Sequence, residues 1–308
     1  MNGTRPVRDG ILLVDKDAGW TSHDVVARLR GLTGQRRIGH TGTLDPAATG
    51  LLVVCLGRAT RLVEYMTAHD KRYSGEITLG LRTTTDDAEG EVVEQGAVPA
   101  IGASDLRRIE TRFTGELEQV PPAFSAVKVA GKRAYAVARA GEQPALMART
   151  VQVHSLHLES ISPARLRIEV HCGPGTYIRS LARDIGAALG CGAHLSQLRR
   201  THVGGYSVAN ASTLAELQGL ADGGRLAAVL LRPDEGIAAM PAVLVHDGAA
   251  RRLCQGLPVE LAGGVADVVA ARIYSASGEF VGVGGGDAMG LIRCRKVLFD
   301  GSGEADSG

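Results

Sequence analysis

The run Gly39-His40-Thr41-Gly42-Thr43-Leu44-Asp45-Pro46-Ala47-Ala48-Thr49-Gly50, followed at once by six apolar residues at 51–56, constrains this chain more than any other stretch. Proline directly after Asp45 pushes the acid away from helical geometry into an extended or turn conformation. Gly39, Gly42 and Gly50 permit positive φ and allow a second backbone or a ligand to approach closely. The apolar run reads as a buried strand, so the acidic loop is anchored on a rigid element. An isolated Asp-Pro is usually a turn in which the acid bonds its own backbone. Here glycine, threonine and histidine crowd a single carboxylate, which favours a site.

Periodicity places further elements along the chain. Residues 11–14 read as a first strand. Thr21 or Ser22 caps a helix with Val25, Val26, Leu29 and Leu32 on one face and Gly34 as its stop. A helix is expected over 59–66, a strand over 73–81 and a helix capped by Ser104 with Leu106, Ile109 and Phe113 inward. Paired strands are expected at 151–158 and 166–172, then a helix over 177–189 ending at Gly190. After Pro233 short apolar runs at 243–245, 259–261, 265–270, 280–283 and 291–297 alternate with glycine, the texture of a small all-β unit. The polar residues 300–308 are expected to be disordered. The fold class is α+β: a mixed, largely antiparallel sheet domain over 1–235 and a small all-β domain over 236–299.

With 44% hydrophobic but only 4% aromatic residues, the core must rest on Leu, Val, Ile and Ala. The net charge of +1 hides an uneven distribution, with Lys and Arg in excess over 1–72 and acids in excess over 86–118. Such asymmetry suits a polyanion on one face. Cys55, Cys172, Cys191, Cys254 and Cys294 form no Cys-x-x-Cys pair and read as reduced thiols in apolar surroundings. With no apolar run of the roughly 18 residues needed to cross a bilayer, the expectation is a cytoplasmic protein without a membrane partner.

Three other segments share the character of the first. Lys71-Arg72-Tyr73 sets a phenol beside two cations at a strand start. Pro121-Pro122-Ala123-Phe124-Ser125-Ala126-Val127-Lys128 is a rigid entry ending in a base. Gly173-Pro174-Gly175-Thr176-Tyr177-Ile178-Arg179 is a glycine-rich turn opening a helix. An arginine in that first turn can hold a carboxylate by two nitrogens at once.

Together these residues resemble the pseudouridine synthases of the TruB type. The likeness rests on Gly39 through Pro46, Lys71-Arg72-Tyr73, Leu79-Gly80 through Asp87-Ala88-Glu89-Gly90 and the Pro-Pro-x-Phe-Ser-Ala-x-Lys segment. Gly175 through Ala182, Gly192-Ala193-His194-Leu195 and Leu198-Arg199-Arg200-Thr201 complete it, and it spans about residues 10–235. The chain departs from the family pattern at Thr84 and at Cys172-Gly173-Pro174, both peripheral to the chemistry. The tail resembles the PUA type of RNA-binding β-domain.

The resemblance implies isomerisation of the T-loop uridine at tRNA position 55 to pseudouridine, with no cofactor and no metal. The C–N glycosidic bond breaks, the uracil turns, and C5 bonds to the ribose. Asp45 would be the catalytic carboxylate, attacking the base or the ribose or removing a ribose proton. Arg179 would be its ion-pair partner. Tyr73 would stack on the uracil and assist proton removal, Tyr177 and Leu198 would wall the pocket, and His40 would brace the space left by the flipped nucleotide. Lys16, Lys128, Arg199 and Arg200 are the candidate phosphate contacts. The resemblance of residues 121–150 to an RNA-clamping insertion points to a stand-alone enzyme acting on the tRNA T-arm without guide RNA or obligate protein partner, and a monomer is the default expectation. His154 and His171 read as structural.

Two other classes compete. Ser125-x-x-Lys128 fits an acyl-transfer dyad, but its usual Ser-Asp-Asn and Lys-Thr-Gly partners are missing. A tRNA-binding or tRNA-folding protein with secondary catalysis would use the same basic and base-flipping features. A phosphate-loop NTPase is excluded, since no glycine loop ends in Gly-Lys-Ser/Thr.

Overall fold

The computed structural model describes residues 9–129, 131–260, 269–287 and 289–298. Among them, ten strands form one large mixed sheet and five form a second. The large sheet runs Ser212–Thr213, Gly10–Lys16, Thr49–Leu56, Ala193–Val203, Lys71–Leu79, Arg165–Cys172, Arg149–Ser162, Gly115–Gln119, with Ile38–His40 and Tyr206–Ser207 as short additions. Most neighbours are antiparallel. The two halves of the sheet meet at a short parallel contact, Arg199↔Thr49 and Arg200↔Gly50.

The run at 51–56 is apolar throughout because both faces of its strand are covered. Leu52, Val54 and Leu56 face the helices Ser22–Thr33 and Leu214–Asp222 with Leu12, Val14, Val25 and Leu29. Leu51, Val53 and Cys55 face the opposite way with Leu62, Met66 and, from the second sheet, Val283 and Leu298. In the other half, Leu166, Ile168, Val170 and Cys172 alternate inward along one strand. They pack on Ile178, Leu181 and Ile185 of the helix Ile178–Leu189. Burying each such side chain contributes about 1.5–3 kcal/mol.

The α+β expectation holds, with one large mixed sheet and a C-terminal β-domain. That domain also carries the helix Asp247–Cys254, whose Ala249, Ala250 and Leu253 pack on its sheet. Lys296 bridges Glu64 at 2.7 Å, and Arg58 donates to the Leu298 carbonyl at 2.9 Å, tying the two sheets together.

Thr21 and Gly34 end the first helix as expected, Thr21 through a capping box with Asp24 and Gly34 in the left-handed region. The helix at 103–112 is capped by Gly102, whose N–H donates to Asp105, rather than by Ser104. The strand expected at 73–81 starts at Lys71 and stops at Leu79, where Gly80 turns the chain at φ +81°. The 59–66 segment is a 3-10 turn, Gly57–Leu62, leading into Val63–Thr67. Of the strand expected at 265–270, residues 265–268 lie outside the described residues, as does the tail at 300–308.

Candidate active site

The loop bearing Asp45 is fastened from four directions. Arg200, on the central strand, donates from Nε to the Leu51 carbonyl at 2.7 Å, from Nη1 to Thr43 at 3.3 Å and from Nη2 to Gly42 at 3.0 Å. Ser22 clamps Leu44, its hydroxyl accepting from the Leu44 N–H at 2.8 Å and donating to the Leu44 carbonyl at 3.1 Å. Lys16 donates to the carbonyls of Asp17 (3.0 Å), Trp20 (2.7 Å) and Pro46 (3.1 Å). The loop closes on itself where the Ala48 N–H donates to the Asp45 carbonyl at 3.1 Å. The backbone turn foreseen at Asp-Pro exists, yet the carboxylate takes no part in it.

Arg179 receives that carboxylate. Its Nη2 donates to Oδ1 of Asp45 at 3.2 Å, while Nε lies 2.9 Å from Oδ2 as an ion-pair contact out of line for a hydrogen bond. The same guanidinium donates to the carbonyls of Thr85 and Phe124, each at 3.0 Å, and has Asp87 Oδ2 at 3.5 Å. One buried cation thus joins three segments distant in sequence. Such a charge is tolerable in the interior because two carboxylates face it and both terminal nitrogens donate hydrogen bonds. The Arg179 side chain is 6% exposed and that of Asp45 38%, so the pair offers its anionic end to solvent.

Local sequence explains where Arg179 points. Tyr177 stands at the N-cap of the helix, in extended conformation. Buried Gln119 holds its backbone on both sides, Oε1 accepting from the Tyr177 N–H at 2.8 Å and Nε2 donating to its carbonyl at 3.1 Å. Asp87 accepts from the Thr85 hydroxyl and from the Glu89 N–H. Arg183, one helical turn beyond Arg179, pairs with Asp86 at 2.9 Å. Asp86 takes a φ of +60°, and its carbonyl accepts from the Leu195 N–H. Gln119, Asp86 and Asp87 were not among the expected site residues. Only the Asp87-Ala88-Glu89-Gly90 motif hinted at the last of these.

A cleft opens over the pair, lined by Asp45, Ala48, Asp87, Arg179, Leu195 and Leu198. Half-buried Tyr73 neighbours Arg200 across the central strand pair, and the charge of Asp45 reaches its phenol. Burial pushes that phenol above its ordinary value, with Arg200 opposing, so at neutral pH Tyr73 presents a protonated hydroxyl. His40 is half-buried on the short strand entering the loop, with Nδ1 shielded from solvent and without a hydrogen-bond partner. Burial, then Arg200 and His23, lowers its pKa, and the ring is neutral.

The structure therefore brings Asp45, Arg179 and Leu198 to one cleft, with Tyr73 electrostatically coupled to it. It corrects two of the expected phosphate contacts. Lys16 is 0% and Arg200 2% exposed, and both spend their donors on carbonyl oxygens of the acidic loop and its flanks. Charge near a motif misled the reading, because these cations serve the motif's own backbone. Arg199 is partly exposed but holds Asp15 through both nitrogens, at 3.0 and 2.6 Å. Lys128 lies exposed on the hairpin Lys128–Val129/Lys132–Arg133.

Known proteins share this chain's sequence and fold. Residues 30–178 match the TruB family pseudouridylate synthase (N terminal domain) and residues 179–236 the tRNA pseudouridylate synthase B C-terminal domain. Residues 241–298 match Pseudouridine synthase II TruB, C-terminal. The tRNA pseudouridine synthase B of Leifsonia xyli subsp. xyli is 54% identical over 69% of this chain and 72% of its own. That of Synechococcus sp. (strain WH7803) is 42% identical over 96% of this chain and 98% of its own. Among solved structures, a chain of a Cbf5-Nop10-Gar1 complex superposes with a TM-score of 0.73 at 27% identity, covering 96% of this chain and 88% of that one. Matched by TruB family models over residues 30–236 and 42% identical to a relative that spans 96% of it, the chain belongs to the TruB family of pseudouridine synthases.

Proposed function

We propose that this protein isomerises the T-loop uridine at position 55 of tRNA to pseudouridine, with Asp45 as the group acting on the flipped-out nucleoside. The observation that carries the reading is the Asp45–Arg179 pair, a solvent-facing carboxylate on a buried guanidinium at the floor of a cleft. The chain's likeness to proteins named tRNA pseudouridine synthase B supports the substrate class.

Catalysis follows from orientation. The guanidinium fixes both carboxylate oxygens, and the fastened loop keeps Asp45 from collapsing onto its own backbone. Leu198 and Ala48 offer the uracil an apolar wall. A protonated Tyr73 stacks on the ring, and after the base has turned its oxygen accepts the C5 proton while its own proton passes to water. Tyr177 walls the base pocket, and neutral His40 braces the gap that the extruded nucleotide leaves in the T-loop.

Residues 1–235 form the catalytic unit in this reading, with 121–150 as an RNA clamp and 236–299 as a PUA-like RNA-binding domain. Lys128, Lys132, Arg133 and Arg139 are exposed on the clamp, a basic surface suited to phosphates. Arg199 supplies a lesser contact, since Asp15 already holds it. The enzyme acts in the cytoplasm as a monomer and without guide RNA. No helix among the described residues is long and apolar enough to cross a membrane.

The test is pseudouridine formation on an unmodified tRNA transcript by purified protein in EDTA, mapped to the nucleotide. Product confined to the T-loop uridine is expected. Tight tRNA binding with no product would instead favour the RNA-folding reading.

A further inference from the structure

Away from the cleft, three side chains converge that the reaction does not use. His154 lies on the strand Arg149–Ser162 and His171 on its antiparallel neighbour Arg165–Cys172. The register jumps from Val153↔Cys172 to Ser155↔His171, so His154 is the extra residue of a β-bulge. A bulge bends its strand and re-aims a side chain. Here it brings the two imidazoles to 4.6 Å between ring centres, tilted by 46°. Asp70, in the turn just before the strand Lys71–Leu79, points one oxygen at both. Its Oδ2 lies 3.2 Å from Nε2 of His154 and 3.8 Å from Nε2 of His171.

We propose that Asp70, His154 and His171 form a binding site for a divalent first-row transition cation of the zinc class, separate from the catalytic cleft. Three candidate ligand atoms, one from each residue, lie within 4.8 Å of one another. A metal with bonds of about 2.1 Å sets its ligands roughly 3.4 Å apart in tetrahedral geometry, so the Asp70 separations of 3.2 and 3.8 Å already fit and side-chain rotation has only to draw the two imidazoles together. Two imidazole nitrogens with one carboxylate oxygen suit zinc, cobalt or nickel. Magnesium and calcium prefer all-oxygen shells. An anion is disfavoured by the carboxylate at the centre.

As a plain ion pair the cluster is loose. Nε2 of His154 lies 3.2 Å from Oδ2 as an ion-pair contact, and that of His171, at 3.8 Å, is beyond hydrogen-bond range. A cation between the three satisfies both rings. Asp70 and His171 also border a cavity of about 420 Å³ shared with His69, Arg72 and His202. The metal's remaining positions open toward that cavity and take water. All three ligands are partly exposed, their side chains between 30% and 45%, so an incoming ion has a path. Bound there, the ion ties the Asp70 turn to both strands of the hairpin.

The test is calorimetric titration of the chelator-stripped, tag-free full chain with Zn2+, alongside the His154→Gln, His171→Ala and Asp70→Asn variants. One equivalent per chain is expected, weakened tenfold or more in each variant, with a rise in Tm on zinc addition that each variant diminishes. Variants are first matched to wild type by Tm in EDTA. Should His171→Ala fail to fold, the exposed His154→Gln carries the comparison. Absence of a saturable 1:1 isotherm, or equal affinity in His154→Gln and wild type, overturns the proposal. With Co2+ in place of zinc, imidazole and carboxylate ligation gives d–d bands alone. A thiolate charge-transfer band would assign the metal to a cysteine and overturn it equally.

Discussion

Arg179 holds Asp45 by two nitrogens, 2.9 and 3.2 Å from its carboxylate oxygens, and uses other donor positions on carbonyls at 85 and 124. The pair cross-links three loops, and in the proposed reaction it also supplies the acting carboxylate. Asp45→Asn keeps the shape and removes the charge. It is expected to lower turnover on tRNA by on the order of 10³-fold or more, with binding nearly unchanged. Substantial product from this variant in a single-turnover assay would remove Asp45 from its role.

Arg179→Lys separates the two functions of the pair. Lysine keeps the charge but cannot reproduce the planar fork. With the Thr85 and Phe124 carbonyls poorly satisfied, stability should fall by about 1–3 kcal/mol. Turnover should fall further than this loss explains, by about 10²-fold, because the carboxylate is no longer aimed. Urea unfolding and kcat measured on the same preparation test this; a full-rate enzyme would contradict it.

Lys16 and Lys128 should behave as opposites although both are lysines near motifs. Lys16→Met removes the donor shared by the Asp17, Trp20 and Pro46 carbonyls, of which Pro46 keeps the Gly19 N–H, and should destabilise by about 1–3 kcal/mol. The salt dependence of tRNA binding should stay as it is. Lys128→Ala should leave Tm unchanged and flatten the plot of log K against log salt by about one unit of slope. A flattened slope for Lys16→Met would reinstate it as a phosphate contact.

Gly50 sits at φ +99° beside Arg200, where an added Cβ would come within 2.3 Å of the Arg200 carbonyl oxygen. Both partners there are backbone and cannot move aside. Gly50→Ala should cost about 2–5 kcal/mol and loosen the parallel junction between the halves of the sheet. An alanine variant with wild-type Tm would show that the junction is not tight.

His40 titrates below its ordinary value because it is buried and near Arg200. Above pH 6.5 the ring is neutral in both folded and unfolded chains and contributes no pH dependence. As pH falls through 6.5 the unfolded chain takes up the proton first, so stability drops until the folded pKa is passed. Wild type should therefore lose more stability than His40→Asn between pH 7.5 and pH 5 in urea unfolding. Equal losses would mean the ring is not desolvated.

Much of this was legible in the sequence where the signal is local. The capped helix at 22–33, the strand buried on both faces after Gly50 and the helix opened by Tyr177 each carry their own periodicity or punctuation. The strand Ala193–Val203 was not anticipated as an element. Its register shifts at 195–197 and 200–202 break the alternation, and its second half is polar because those side chains serve other strands.

Local sequence supplied the reactive groups: one proline-followed acid among glycines, an arginine in the first turn of a helix, a tyrosine near a strand start. Those are properties of neighbours in the chain, set by backbone preference and side-chain type. Folding in three dimensions brings Arg179 to Asp45 across 134 residues, turns Arg200 and Lys16 inward, and joins His154 to His171 and Asp70. Whether a cation faces phosphate or its own backbone depends on burial and on the carbonyls left without partners, which exist only once the sheet has assembled.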